Sequence, residues 1–114
     1  MSANITEGTE EEIINQAVGH FTSTPWLEGN VGLVAGCDGY QENYFAKLDQ
    51  LEIGDVILYQ YGENKKEYKV TLNQVIDQKD WSYLTETKEN KLTLITGVID
   101  EPETRRCVQA EEII

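Results

Sequence analysis

The sequence predicts a mainly β domain with short connecting helices, on three observations. There is a short apolar run punctuated by glycine, a pair of strand-like runs joined by a tight loop, and two further strand-like runs near the C-terminus. Asn30-Val31-Gly32-Leu33-Val34-Ala35-Gly36 is too short and too rich in glycine for a helix and suits a buried strand that delivers Cys37 and Asp38 to a loop. Asp55 to Tyr61 and Lys66 to Leu72 flank Gly62-Glu63-Asn64, and the second run alternates through Tyr68, Val70 and Leu72, which predicts a hairpin. Lys91 to Thr96 and Arg105 to Glu111 supply the remaining strands.

The helices are expected as connections. Thr9 is placed to cap a first helix, with Glu12 as its capping-box partner, Glu10 and Glu11 at the positive end, and Gly19 as the stop. Tyr44, Leu48 and Leu51 fall at helical spacing with Phe45 beside them, so an amphipathic helix is expected from Asn43 to Leu51, terminated by Gly54. Trp81, Tyr83 and Leu84 belong to an irregular or briefly helical segment, with Trp81 expected as a packing residue. No repeat or linker divides the chain, and residues 1–114 read as a single domain.

Composition narrows the partners. Twenty-one acidic against nine basic residues give a formal charge of -12, which repels phosphate backbones and argues against nucleic acid. The acids are spread as a solvated surface usually is and no regular loop spacing marks a metal site, so no cofactor and no metal ligands are expected, with calcium held between loop carboxylates left open as the alternative. No stretch approaches the ~18 apolar residues of a membrane span, and the N-terminus shows neither a basic nor an apolar segment. The chain is expected to be soluble, its compartment left open. Cys37 and Cys107 do not declare an oxidising compartment; Cys107, in a strand, reads as a small core residue.

Five segments follow in order: Val18-Gly19-His20-Phe21-Thr22-Ser23-Thr24; Gly29 to Gly36; Tyr44-Phe45-Ala46-Lys47-Leu48 with Leu51 and Gly54-Asp55; Leu92-Thr93-Leu94-Ile95-Thr96; and Arg105-Arg106-Cys107-Val108-Gln109-Ala110. Together they resemble the sortases, the cysteine transpeptidases of Gram-positive bacteria. The resemblance implies a closed β-barrel with short helices on its loops. This chain is expected to be short at its N-terminus and to lack the family's first strand, leaving an unpaired edge that would form a homo-oligomer, receive another chain or be covered by the N-terminal segment.

The resemblance also implies an extracellular, membrane-anchored setting for the family. It implies a reaction in which a sorting signal of the Leu-Pro-x-Thr-Gly kind is cut and its acyl group passed to an amine. A thiolate attacks, an imidazole protonates the leaving amine and a guanidinium steadies the oxyanion. Carried over residue by residue, the arginine falls on Arg105, with Arg106 its near alternative. The histidine position holds Cys37 and the cysteine position, after the Leu-Thr-Leu-Ile-Thr strand, holds Gly97. Both partners in the covalent chemistry are replaced, so the expectation is an inactive sortase-like domain with a residual role in binding a sorting-signal peptide or surface protein. Tyr40, Thr96 and Arg106 are the groove candidates. His20, in the Gly-His-Phe segment, is expected to be structural. The alternatives are an active transpeptidase or hydrolase using Cys37 as a relocated nucleophile, and an inactivated form of an active sortase.

Overall fold

The computed structural model describes residues 5–10, 13, 17–36, 45, 48–98 and 101–113. Seven strands lie in one sheet: β1 (Ile5–Glu7), β2 (Val18–His20), β3 (Asn30–Val34), β4 (Val56–Tyr61), β5 (Asn64–Asp77), β6 (Lys91–Val98) and β7 (Glu101–Glu112). Their spatial order is β1-β2-β3-β6-β7-β5-β4. The β1–β2 and β3–β6 pairs are parallel and the others antiparallel. The mainly β, barrel-like fold expected from the sequence is present.

The sheet curls around an inner core. Val31 and Leu33 of β3, Leu92 and Leu94 of β6, Val108 and Ala110 of β7, and Tyr68 and Val70 of β5 are buried together there, with Phe45 and Leu48 packed among them. Such alternation places every second residue of a strand on the same face. Asn73 reaches across to the 3₁₀ turn Leu48–Gln50, its amide donating to the carbonyls of Leu48 at 3.2 Å and Leu51 at 2.8 Å. Of the helix expected from Asn43 to Leu51, this turn and buried Phe45 fall among the described residues.

The two outer strands are joined by side chains through Trp26. The indole N–H donates to a Glu7 carboxylate oxygen of β1 at 2.9 Å, and the ring stacks on Tyr61 of β4 at 5.2 Å between centroids. The Tyr59 hydroxyl of β4 donates to the Trp26 carbonyl at 2.5 Å. His20 lies beneath, stacked on Trp26 at 3.9 Å, with Nδ1 2.9 Å from a Glu7 carboxylate oxygen and Nε2 2.8 Å from the Pro25 carbonyl oxygen. The expectation that His20 is structural fits this burial and these bonds. β4 is the terminal strand of the sheet, and its Val56 and Leu58 side chains are exposed.

Two local expectations are corrected. Gly19 does not stop a helix; it lies inside β2, where a Cβ would run into the Gly8 carbonyl, so the residue permits a close approach of backbones. Helical bonding is confined upstream among the described residues, where the Ala17 N–H donates to the Ile13 carbonyl at 2.8 Å. The alternation through Tyr68, Val70 and Leu72 is also broken. A bulge between Val70 and Leu72 adds one residue to β5, so Leu72 turns to the outer face and joins Ile76, Ile95 and Cys107.

Candidate functional site

The outer face of the sheet carries the candidate site. Register fixes which residues share it: Val34 of β3 is opposite Ile95 of β6, Ile95 opposite Cys107 of β7, Gly97 opposite Arg105, and Ile76 of β5 opposite Arg105 from the other side. Ile76, Ile95 and Cys107 form a small second core, with Phe21, Leu72 and Tyr83 packed on it. Beside it lies a cavity of about 370 Å³ whose floor includes Val34, Ile76 and Ile95, whose walls include Phe21 and Leu84, and whose rim carries Asp77, Asp80, Trp81 and Arg105.

The cavity wall is held by a buried polar network. Asn30 donates to the carbonyls of Tyr83 at 2.8 Å and Thr85 at 3.0 Å and accepts from the Thr93 hydroxyl at 2.6 Å, while Gln109 donates to the Tyr83 carbonyl at 3.0 Å. These bonds anchor the 3₁₀ turn Ser82–Leu84 to β3, β6 and β7. Gly32 completes the fit, because a Cβ there would meet Leu84 at 2.7 Å and Phe21 at 3.2 Å. Buried polar groups satisfied in this way fix one arrangement of the segment they hold.

Strand alternation separates the two arginines. Arg105 shares the face of Gly97 and the cavity; its Nη1 donates to the carbonyls of Pro102 at 2.9 Å and Thr104 at 2.7 Å, where the β6–β7 register shifts between Gly97 and Val98. Arg106 lies opposite Thr96 on the inner side and donates to the Asn73 side chain at 3.1 Å. Thr96 is buried there too, its hydroxyl donating to the Ala35 carbonyl at 2.8 Å. The geometry therefore brings Gly97 and Arg105 together and turns Arg106 and Thr96 away from the cavity. Cys37 and Tyr40 lie outside the described residues.

The thiol described on this face is Cys107, two residues along β7 from Arg105. It is fully buried, and burial first, with the nearby Asp80 charge second, pushes its pKa up to about 12. A thiol held there stays protonated at neutral pH and is no nucleophile. The core role expected of Cys107 holds. Trp81 corrects an expectation: it is 61% exposed at the cavity mouth and touches Phe21 edge-on at 6.3 Å between centroids. Its neighbours in sequence, Asp80 and the turn that follows, gave no apolar periodicity from which to read this exposure.

The whole chain settles the family. Residues 1–113 match the family model described as the sortase domain. The chain belongs to the sortase family. Among solved structures, this sortase domain is similar to sortase C-1 from Actinomyces oris, with a TM-score of 0.92 and 23% identity over 100% of this chain and 68% of that one. It is also similar to sortase A from Listeria monocytogenes, with a TM-score of 0.87 and 25% identity, covering 96% of this chain and 77% of that one. Sortase C from Clostridium perfringens, whose structure includes a C-terminal cell wall sorting motif, gives a TM-score of 0.87 and 23% identity over 96% of this chain and 63% of that one. Among curated proteins, none matches. No helix among the described residues of this sortase domain is long and apolar enough to cross a membrane.

Proposed function

We propose that this sortase domain is catalytically silent and uses the outer-face groove to bind an extended peptide or protein segment of the sorting-signal kind. The observation that carries the reading is the pairing of Gly97 with Arg105. At the rung where the family resemblance expects a thiol there is no side chain, while the arginine opposite is in place beside an open cavity. The one thiol described on that face, Cys107, is buried and held protonated. Nucleophile and acid act as a unit, so replacing both removes essentially all acceleration from covalent catalysis.

Arg105 keeps a role without chemistry. Two backbone carbonyls already orient its guanidinium, and its remaining N–H groups suit the carbonyls of a strand laid along the groove. The sorting motif seen with the Clostridium perfringens enzyme makes a Leu-Pro-x-Thr-Gly peptide the natural first ligand to try. The test pairs two measurements. Incubation with a fluorogenic peptide of this kind is expected to give no turnover, and calorimetric titration of the same sequence is expected to show saturable binding that Arg105→Ala weakens. Turnover approaching about 1 per second, an ordinary enzymatic rate, overturns the silent reading; absence of binding even at millimolar peptide overturns the groove.

A further inference from the structure

We propose that the groove selects a peptide carrying a lysine or arginine beside a branched apolar residue, with the cation held between Asp77, Asp80 and the face of Trp81. This rests on the groove reading above and names the class of peptide that the groove takes.

Three observations converge on it. Asp77 and Asp80 both face the cavity, and each commits one oxygen to its own turn. Asp77 Oδ1 accepts from the Lys79 N–H at 2.8 Å, and Asp80 Oδ1 accepts from the Ser82 N–H at 3.1 Å and hydroxyl at 2.5 Å. Each keeps a second carboxylate oxygen. The ion pairs among the described residues are His20 with Glu7 and Lys66 with Glu112, so neither aspartate is neutralised by a described lysine or arginine, and Arg105 on the same rim pairs with neither. The rim thus presents separated charges of opposite sign: two carboxylates at one place and a guanidinium turned to backbone carbonyls at another.

Trp81 is the second observation. A mostly exposed indole, next in sequence to Asp80 and in a T-shaped contact with Phe21, offers a cation an aromatic ring beside a carboxylate. The third is the floor: Val34, Ile76 and Ile95 are branched and apolar, and match a branched side chain by shape. An extended segment has its side chains at fixed spacing and its carbonyls along the edge. It can therefore meet the floor, the aspartates and Arg105 at the same time.

The test titrates the intact chain with capped Leu-Pro-x-Thr-Gly peptides bearing Lys, Gln or Glu at the variable position and at each flanking position. One Lys peptide is expected to bind about tenfold more tightly than its Gln counterpart, the scale of one charge-assisted contact with a cation–π contribution. Asp77→Asn and Asp80→Asn keep the Oδ1 acceptors that hold the turn, and together they are expected to abolish the preference while leaving the Gln peptide's affinity unchanged. Glu63→Gln, in the β4–β5 turn, is expected to leave the preference intact. Equal binding of Lys and Gln peptides overturns the inference and leaves the groove standing. A Lys preference that survives both asparagine substitutions also overturns it, since attraction to the acidic molecule as a whole would then explain the result. Failure of every peptide to bind removes the groove reading and the inference with it.

Discussion

On the reading proposed above, Gly97 stands where the family's thiol is expected, one of two side chains of the covalent chemistry that the resemblance finds replaced. Arg105 is directly opposite, and a cation close to a cysteine favours thiolate. Cys107, by contrast, is on the same face but fully buried in the small core with Ile76 and Ile95, and burial pushes its pKa up to about 12. The expected outcome for Gly97→Cys is a new thiol that alkylates in the native protein near neutral pH, while Cys107 is modified only after denaturation. Peptide mapping by mass spectrometry after iodoacetamide treatment distinguishes the two sites. On the proposed reading, in which Cys37 takes the family's histidine position, the same variant is expected to show no sorting-peptide turnover for want of an imidazole. Rapid labelling of Cys107 in the folded protein, or turnover by Gly97→Cys alone, contradicts this account. From the motifs around them the sequence proposes Gly97, Arg105 and Cys37 as site positions; the structure pairs Gly97 with Arg105 across β6 and β7, and Cys37 lies outside the described residues. Which of two adjacent arginines faces the groove was not legible in the sequence, because that depends on strand register, and a shift by one residue exchanges the two faces.

Among the elements, the long β5 and the N-terminal β1 best show where local pattern gives way to tertiary structure. The hairpin, the strand at Asn30 and the two C-terminal strands were readable from β-branched runs and turn residues. The bulge in β5 was not, because Thr71 carries no mark of an extra residue, and it alone puts Leu72 with the groove's small core. β1 was missed for a related reason: three residues give no periodicity, and the strand is defined by its parallel pairing with β2, beside which Glu7 contacts His20 and Trp26. That contact makes a pH prediction. The hydrogen bond from His20, ahead of its charge and of the Trp26 bond, holds the Glu7 carboxyl below its ordinary value of 4.5, against a smaller opposing effect of desolvation. A carboxyl whose pKa is lower in the folded state contributes stability while it is ionised, above its unfolded value, and loses it as pH falls through the lower folded value. Wild type is therefore expected to exceed Glu7→Gln in urea midpoint near neutral pH, with the difference shrinking as pH falls below about 4.5. A difference that grows on acidification excludes this role for Glu7.

Across the whole molecule, the formal charge of -12 is large for 114 residues, and the fold does little to pair it off. Among the described residues the carboxylates in ion pairs are Glu7 and Glu112, and three of the nine basic residues, Lys65, Lys66 and Lys69, are gathered on β5. The remaining acids repel one another more in the folded state, where they are held close, than in an expanded chain. Screening should relieve that repulsion: near physiological ionic strength the Debye length is about 8 Å, shorter than most separations across a domain of this size. Raising sodium chloride from low salt into that range is expected to increase the thermal midpoint by about 4 °C, the shift that roughly 1 kcal/mol produces in a domain slightly above 100 residues. Differential scanning calorimetry at fixed neutral pH measures it. Replacing sodium chloride with sucrose separates screening from surface exclusion, because an uncharged osmolyte strengthens burial without shielding charge. The rise with salt should be steep at first and flatten once the Debye length falls below the spacing of neighbouring acids. A midpoint indifferent to salt would mean that the carboxylates are already compensated in solution, and a falling one that Glu7–His20 and Lys66–Glu112 outweigh the repulsion around them. The same screening should weaken capture of a cationic peptide at the groove, so salt is expected to move fold stability and peptide affinity in opposite directions.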